Sequence, residues 1–154
     1  MKLLVVCLGN ICRSPMAEGA LRARLQDSPL AGQVQVDSAG TGDWHAGEPP
    51  DRRAIACARG FGVDIGMQRA RQLRTRDFQD FDWLLCADRA NVRDVLQRAP
   101  AGQAGKVALL LDWAGVQPGG EVPDPYTGGP EDFRQVWRLV DSAAQAVVSR
   151  LAAR

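Results

Sequence analysis

The residues with the clearest chemical potential are Cys7, Arg13 and Ser14, which lie in one short segment near the N-terminus. Residues 3–6 form an apolar run that predicts a buried strand, and Ser14 followed by Pro15 is typical of a helix start. The Cys-x5-Arg segment therefore enters a helix N-terminus, where free N–H groups and the helix dipole bind anions. Such a site favours the nucleophilic thiolate, and a guanidinium there can hold two oxygens of a tetrahedral oxyanion. The predicted chemistry is covalent catalysis on a phosphate.

Cys7 is the only one of the four cysteines with an arginine six residues later. The alternative makes Cys7 a small buried residue at a strand end and Arg13 a solvated charge at a helix start. The strand signal before the pair and the helix signal after it favour the catalytic interpretation. We expect Cys57 and Cys86, which have apolar neighbours, to be ordinary core residues.

A candidate acid, Asp124, lies in a glycine- and proline-rich stretch at residues 114–129. Cleavage of a phosphate ester by Cys7 requires a general acid for the departing oxygen and then a base for the attacking water. Asp124 can fill both roles, and Pro125 would stiffen the loop that presents it. The alternative is an exposed Asp-Pro turn with no catalytic role.

Two aromatic residues, Trp44 and Tyr126, lie in glycine-rich loops where packing does not require them. They predict a slot for a flat phenyl phosphate with Leu8 as its floor, which would favour phosphotyrosine over the shorter phosphoserine. The alternative is that both rings cover the hydrophobic core. His45, beside Trp44, is interpreted as a solvated loop residue, with a place at the slot rim as the alternative.

The predicted elements bring these residues to one end of a sheet. Four strand signals alternate with helical segments, which predicts right-handed crossovers and a three-layer α/β/α fold with a four-stranded parallel sheet in the order 2-1-3-4. Ligands of such sheets bind beyond the carboxyl ends of strands one and three, where the loops would gather Cys7, Trp44 and Asp124. The predicted strands are residues 3–6, 34–37, 81–87 and 106–111. The predicted helices begin at Ser14, Asp51, Arg89 and Pro130, with Ser14 as the cap of the first and Asp88 as the cap of the third. The third has Val92, Val95 and Leu96 on one face, and the last has an apolar face at Phe133, Val136, Val140, Ala144, Val147 and Leu151.

Composition limits the remaining possibilities. A chain of 154 residues, 45% hydrophobic and 24% charged, fits one domain over residues 1–154. A net charge of +1 argues against a broad nucleic-acid or membrane surface. The first apolar run is too short for a secretory signal, and no stretch approaches a membrane span, so we expect a cytoplasmic protein. We also expect a monomer. With His45 as the only histidine and no zinc-type cysteine spacing, no metal or cofactor is expected.

Three segments carry a resemblance to a known family. They are VCLGNICRSPMAE near the N-terminus, DSAGTGDWHAGEPPD at residues 37–51, and Asp124-Pro125-Tyr126. In this order they are similar to the low-molecular-weight protein-tyrosine phosphatase family, and the resemblance extends from the first residue to the last helix. It implies hydrolysis of phosphotyrosine and small aryl phosphates through a phosphocysteine on Cys7, with Arg13 clamping the phosphate and Asp124 acting as general acid and then base.

The same resemblance implies roles for the residues around the nucleophile. Ser14 would help the thiol leave in the second step, and Asn10, which tolerates left-handed torsions, would fix the loop backbone together with Ser38. Cys12 would shield Cys7 from over-oxidation through a reversible disulfide. The implied phosphate- and substrate-binding residues are Leu8, Gly9, Asn10, Ile11, Cys12, Ser14, Trp44 and Tyr126.

The resemblance also points to a partner. Bacterial members of the family often oppose a tyrosine kinase, so the expected partner is a phosphotyrosine-containing protein such as a bacterial tyrosine kinase. Thr127 follows Tyr126 where a second tyrosine is common in the family, which argues against control by tyrosine phosphorylation at that position.

Two other functions fit parts of the pattern. A thiol-coupled arsenate reductase resembles the same scaffold, but it needs further redox cysteines, and Cys86 has no partner cysteine in the segment that follows it. A phosphocarrier would hold phosphate on Cys7 without hydrolysing it, but it would not need Asp124 as a leaving-group acid.

Overall fold

The computed structural model describes residues 1–154 and contains one parallel sheet of four strands. The strands are β1 (Lys2–Cys7), β2 (Gln35–Gly40), β3 (Trp83–Cys86) and β4 (Val107–Leu109). Their order in the sheet is β2-β1-β3-β4, and each neighbouring pair is parallel. The predicted strand order is therefore confirmed.

Helices cover both faces of this sheet. They are α1 (Arg13–Gln26), α2 (Arg52–Gly60), α3 (Asp77–Asp80), α4 (Arg89–Arg98), α5 (Leu110–Trp113) and α6 (Pro130–Ala152). The larger hydrophobic cluster joins one sheet face to α1, α2, α5 and α6, and the smaller joins the other face to α3 and α4. None of the six helices combines the length and the hydropathy that a membrane span requires.

β1 forms the centre of the structure because both of its faces are covered. Leu3 and Val5 point into the larger cluster, and Leu4 and Val6 point into the smaller one. The period of two in a strand sends successive side chains to opposite faces, so a strand buried on both sides reads as one apolar run. The apolar face predicted for α6 is also buried, except that Leu151, near the end of the helix, is half-buried.

The fourth strand is shorter than predicted. It ends at Leu109, and the chain turns at once into α5, which buries Leu110 and Leu111 against the larger cluster. A short apolar run does not distinguish a strand from a buried helical turn, so the predicted strand at 106–111 merged two elements. One predicted core face is also incorrect in detail, because Leu96 of α4 is exposed while Val95 is fully buried.

Candidate active site

Cys7 is the last residue of β1, and the loop that follows it opens at the carboxyl end of the sheet between β2 and β3. A cleft of about 220 Å³ lies over this loop, and its loop side consists of Cys7, Leu8, Gly9, Ile11, Cys12 and Arg13. Trp44 and His45 from the segment after β2, and Asp124 and Tyr126 from the segment before α6, form its other walls. A larger polar depression of about 550 Å³ lies behind α1, but no nucleophilic side chain lines it.

The sulfur of Cys7 is buried and accepts contacts from two groups of the loop. The backbone N–H of Asn10 donates to Sγ at 3.3 Å, and the hydroxyl of Ser14 lies 3.0 Å from Sγ. The Asn10 side-chain amide donates to Ser14 Oγ at 2.7 Å. Because Ser14 Oγ already accepts that bond, its own hydrogen is free to point at the sulfur.

This arrangement corrects the prediction that Ser14 caps the helix. α1 begins one residue earlier, at Arg13, its N-cap residue is Cys12, and no side chain bonds the first turn. Ser14 is fully buried and its hydroxyl faces Cys7. The helix-start pattern alone indicates a cap, whereas the family resemblance had also indicated that Ser14 acts on the Cys7 thiol.

Asn10 joins the loop to the neighbouring strand. It adopts a left-handed conformation with φ of 56°, which asparagine tolerates better than most residues. Its amide nitrogen also donates to Ser38 Oγ at 2.9 Å, and its oxygen accepts from the backbone N–H of Arg71 at 3.0 Å. Ser38 lies within β2, beyond the end predicted for that strand at residue 37.

Glu18, which is not among the predicted site residues, continues this network. Ser38 Oγ donates to Glu18 Oε1 at 2.7 Å, and Arg22 holds the other oxygen at 2.8 Å. Glu18 is only 4% exposed, and burial raises its pKa despite these two favourable contacts. The sequence feature that could have pointed to Glu18 is a carboxylate between Ala17 and Leu21, on the buried face of the helix.

Arg13 is buried and fixed by two acceptors. Its Nη1 donates to Asp88 Oδ2 at 2.6 Å and to the carbonyl oxygen of Val122 at 3.1 Å. Burial opposes the charge of Arg13, but the negative groups at Cys7, Asp88 and Asp124 outweigh it and raise the pKa of the guanidinium. One edge of the guanidinium is thus occupied, and Nη2 is left for a ligand in the cleft.

Asp88 was predicted only as the cap of α4, and it has a second task. Its Oδ1 accepts from the backbone N–H of Asn91 at 2.8 Å, which is the predicted cap. Its Oδ2 is the oxygen that holds Arg13. One carboxylate therefore starts a helix and orients the guanidinium.

The carboxyl group of Asp124 lies at the mouth of the cleft. Its Oδ2 is 3.9 Å from Arg13 Nη2, and its Oδ1 accepts from the backbone N–H of Tyr126 at 3.1 Å. The side chain is 49% exposed, so protons can exchange with solvent. The arrangement lets one carboxyl oxygen face a group that is bound by Arg13.

Two arginines hold the chain on either side of Asp124. Arg13 binds the carbonyl of Val122, two residues before it, and Arg53 Nη2 binds the carbonyl of Tyr126, two residues after it, at 2.9 Å. Arg53 also makes a two-point pair with Asp51 at 3.1 and 3.0 Å. Arg53 was not predicted, because it is one of many arginines in exposed helical positions.

The aromatic residues do not cover the core. Trp44 is 68% exposed, and Tyr126 and Leu8 are also exposed, so their rings and side chain border the cleft and not the hydrophobic clusters. His45 also lines the cleft, with its Nδ1 at 2.5 Å from Glu48 Oε2, so the interpretation as a purely solvated residue is wrong. No group of three or more His, Cys, Asp or Glu side chains is arranged to hold a metal ion.

Comparison with known proteins identifies the family. The family model for low molecular weight phosphotyrosine protein phosphatases matches residues 2–154. A low molecular weight protein-tyrosine-phosphatase of Streptomyces coelicolor is 40% identical over 94% of this chain and 89% of its own length. The crystal structure of a protein tyrosine phosphatase from Entamoeba histolytica, with Hepes in the active site, matches with a TM-score of 0.93 and 34% identity, covering 99% of this chain and 97% of that one. Wzb of Vibrio vulnificus, solved in complex with benzylphosphonate, matches with a TM-score of 0.84 and 33% identity over 97% of both chains. The chain belongs to the low molecular weight phosphotyrosine protein phosphatase family and is a protein-tyrosine-phosphatase.

Proposed function

We propose that this single-domain enzyme hydrolyses phosphotyrosine and small aryl phosphates through a phosphocysteine on Cys7. Arg13 clamps the phosphate, and Asp124 acts first as general acid and then as general base. The observation that carries the proposal is the 3.9 Å separation of Asp124 Oδ2 from Arg13 Nη2, above a buried thiol. A phosphate seated on the guanidinium would lie between the nucleophile and the acid.

In the first step, the Cys7 thiolate attacks phosphorus and the bond from phosphorus to the phenolic oxygen breaks. The backbone N–H groups of residues 8–13, the start of α1 and the free edge of Arg13 stabilise the negative charge on the phosphoryl oxygens. Asp124 gives its proton to the departing phenolate, so tyrosine leaves as the neutral phenol.

In the second step, water attacks phosphorus and the bond from sulfur to phosphorus breaks. Asp124, now a carboxylate, takes the proton of the attacking water, and the products are inorganic phosphate and the Cys7 thiolate. The Ser14 hydroxyl donates to that thiolate, because a thiolate can only accept, while Ser14 Oγ accepts from the Asn10 amide. Ser14 is thereby a leaving-group aid for sulfur.

The substrate slot is formed by Trp44 and Tyr126 above Leu8. A phenyl ring can contact both exposed aromatic side chains while its phosphate reaches Cys7, whereas phosphoserine is too short to fill the slot. The benzylphosphonate complex of the Vibrio vulnificus relative supports a ligand of this shape. We also propose that the protein acts in the cytoplasm and that its substrates are phosphotyrosine-containing proteins. A bacterial tyrosine kinase is one such partner.

Two features of the cysteines disfavour arsenate reduction. Cys86 is completely buried at the end of β3, and Cys57 is on α2, so neither lies on a flexible segment that could relay a disulfide. Only Cys12 shares a loop with Cys7. The position of Asp124 disfavours a phosphocarrier, because a carrier does not need a general acid to protonate a leaving group.

The test is steady-state hydrolysis of a phosphotyrosine peptide and of para-nitrophenyl phosphate. Cys7→Ser is expected to abolish turnover, and Asp124→Asn is expected to lower kcat by about 10² to 10⁴, the usual contribution of a general acid. Stoichiometric phosphorylation without release would instead indicate a carrier, and thiol-dependent reduction of arsenate would indicate a reductase. Full turnover in the Cys7→Ser variant would refute the proposal.

A further inference from the structure

A second depression lies next to the catalytic cleft, between α2 and the start of α6. Its volume is about 390 Å³, and we call it the α2–α6 groove. Its apolar lining comes from Ala56, Cys57, Phe61, Pro130 and Phe133. Phe61 is 46% exposed and stacks on Trp137, with the two ring centres 5.6 Å apart. This stacking fixes Phe61 as an aromatic wall of the groove that faces solvent.

Arg53 forms the partition between the groove and the cleft. Its guanidinium carbon lies 5.5 Å from the ring centre of Tyr126, which borders the cleft, and 4.7 Å from the ring centre of Phe133, which borders the groove. The two rings are therefore within about 10 Å of each other, the length of about three residues of extended chain. A polypeptide that leaves the cleft over Tyr126 would reach the groove within two or three residues.

The charges around the groove indicate which side chain would fill it. Arg53 is already bound by Asp51 and by two carbonyl oxygens, those of Tyr126 and Gly128. Arg134, on the opposite edge, is paired with Glu131 at 2.8 Å. Since both guanidinium groups already have partners, the surface of the groove that remains for a ligand is apolar. An apolar side chain therefore gains the most binding free energy by burying its surface there.

The cleft cannot by itself recognise a protein substrate. Its volume of about 220 Å³ accommodates little more than a phenyl phosphate, and the chain on both sides of a phosphotyrosine must run over its rim. We propose that the α2–α6 groove binds a bulky apolar side chain, such as leucine or phenylalanine, two or three residues from the phosphotyrosine of the substrate protein. This inference rests on the proposed phosphotyrosine hydrolysis and names a specificity site for it.

The experiment is a scan of phosphotyrosine peptides in an otherwise alanine and glycine background. A leucine is moved through positions −4 to +4, and kcat/KM is measured for each peptide. A gain of about fivefold is expected at position two or three on one side of the phosphotyrosine, as partial burial of one leucine side chain predicts.

A matched pair of variants assigns the gain to the groove. Ala56→Gln places a longer, uncharged side chain in the groove at an exposed helical position. Ala101→Gln makes the same change in the exposed loop after α4, which lies at the amino-terminal edge of the sheet, away from the cleft. Ala56→Gln should remove the leucine preference, Ala101→Gln should keep it, and both should hydrolyse para-nitrophenyl phosphate like the wild type.

The outcomes separate this inference from the proposed function. Hydrolysis of all peptides at equal rates, or a leucine preference that survives Ala56→Gln, would overturn the groove assignment alone. Failure to hydrolyse any phosphotyrosine peptide or para-nitrophenyl phosphate would overturn the proposed function itself.

Discussion

The site is built from two loops that differ in how they are held. The phosphate loop, residues 7–13, is continuous in sequence, and Cys7, Asn10, Cys12 and Arg13 within it are buried. The acid loop, residues 122–129, comes from the other end of the chain and exposes Asp124 and Tyr126. The first loop is fixed by its own backbone and by hydrogen bonds among buried side chains, and the second by contacts with two arginines.

This difference matches the chemistry proposed for each loop. The phosphoryl group has the same shape in every substrate, so a rigid, preorganised set of donors serves it best. The acid must exchange protons with water and release products of varied sequence, which requires an exposed position. The arginine contacts on either side of Asp124 place that exposed carboxyl without burying it.

Apart from loss of the nucleophile itself, the largest effect in the phosphate loop is expected from Arg13→Lys. Lysine cannot bind Asp88 and Val122 with one edge and a phosphate with the other, so kcat/KM should fall by about 10³. Steady-state kinetics measures the loss. Arg24→Lys, which alters the pair with Asp141 between α1 and α6, is the matched control and should leave kcat/KM unchanged. Equal activity in the two variants would remove Arg13 from the mechanism.

A smaller effect is expected when the orientation of Arg13 is disturbed and its charge is kept. Asp88→Asn retains the oxygen that caps α4 but replaces the carboxylate that holds the guanidinium. Misplacement of a positioned group costs on the order of 10 to 100-fold, so kcat/KM should fall within that range, and the melting temperature should also fall because the buried Arg13 loses its charged partner. A large fall in Tm with unchanged kinetics would show that Asp88 acts only as a cap.

The acid loop is expected to respond in a way that depends on the leaving group. Arg53→Ala removes the contact with the Tyr126 carbonyl and should slow hydrolysis of phenyl phosphate by about tenfold, since a misplaced acid protonates a basic leaving group poorly. The kcat/KM for para-nitrophenyl phosphate, whose leaving group needs less protonation, should change much less, whereas its kcat, which includes hydrolysis of the phosphocysteine by the same carboxylate, should also fall. A uniform loss on both substrates would mean that Arg53 acts on phosphate binding, and would break the contrast between the loops.

The smallest functional effect concerns two cysteines of the same loop. Burial, together with the charges of Asp51 and Cys7, raises the pKa of Cys12 to about 12. Cys12 should therefore stay a neutral thiol at pH 7 to 9, and iodoacetamide should label Cys7 while leaving Cys12 unmodified, as peptide mass spectrometry can determine. Because the folded protein keeps this proton while the unfolded chain loses it near pH 9, the contribution of Cys12 to stability falls as pH rises from 9 to about 12. Early labelling of Cys12 at pH 7 would contradict this assignment.

The sequence predicted which residues share the cleft better than it predicted the contacts that hold them. Cys7 and Arg13 were found from one local spacing, and Asp124 from the need for an acid and its place at the sheet end. Strand order followed from alternating strands and helices, because crossover handedness leaves few topologies. These inferences depend on local pattern and on general rules of topology.

The supporting contacts join positions that are distant in sequence, and no local pattern announces them. Asp88 looks like a helix cap and Arg53 like a solvated charge until the fold places each against its partner. For Ser14 the local pattern indicates a cap, and its contact with Cys7 was expected only from the family resemblance. Such residues are recognised only when the three-dimensional neighbours of the nucleophile and the acid are known.

The central claim is that phosphate passes through Cys7 and that Asp124 drives both steps. The most direct measurement is rapid quenching of the Asp124→Asn variant during reaction with para-nitrophenyl phosphate, followed by mass spectrometry of the peptide that contains Cys7. The leaving group of this substrate needs little acid, whereas hydrolysis of the intermediate needs the base, so phosphate is predicted to accumulate on Cys7. Continued turnover with Cys7 unmodified at every time point, or phosphate on another residue, would contradict the account.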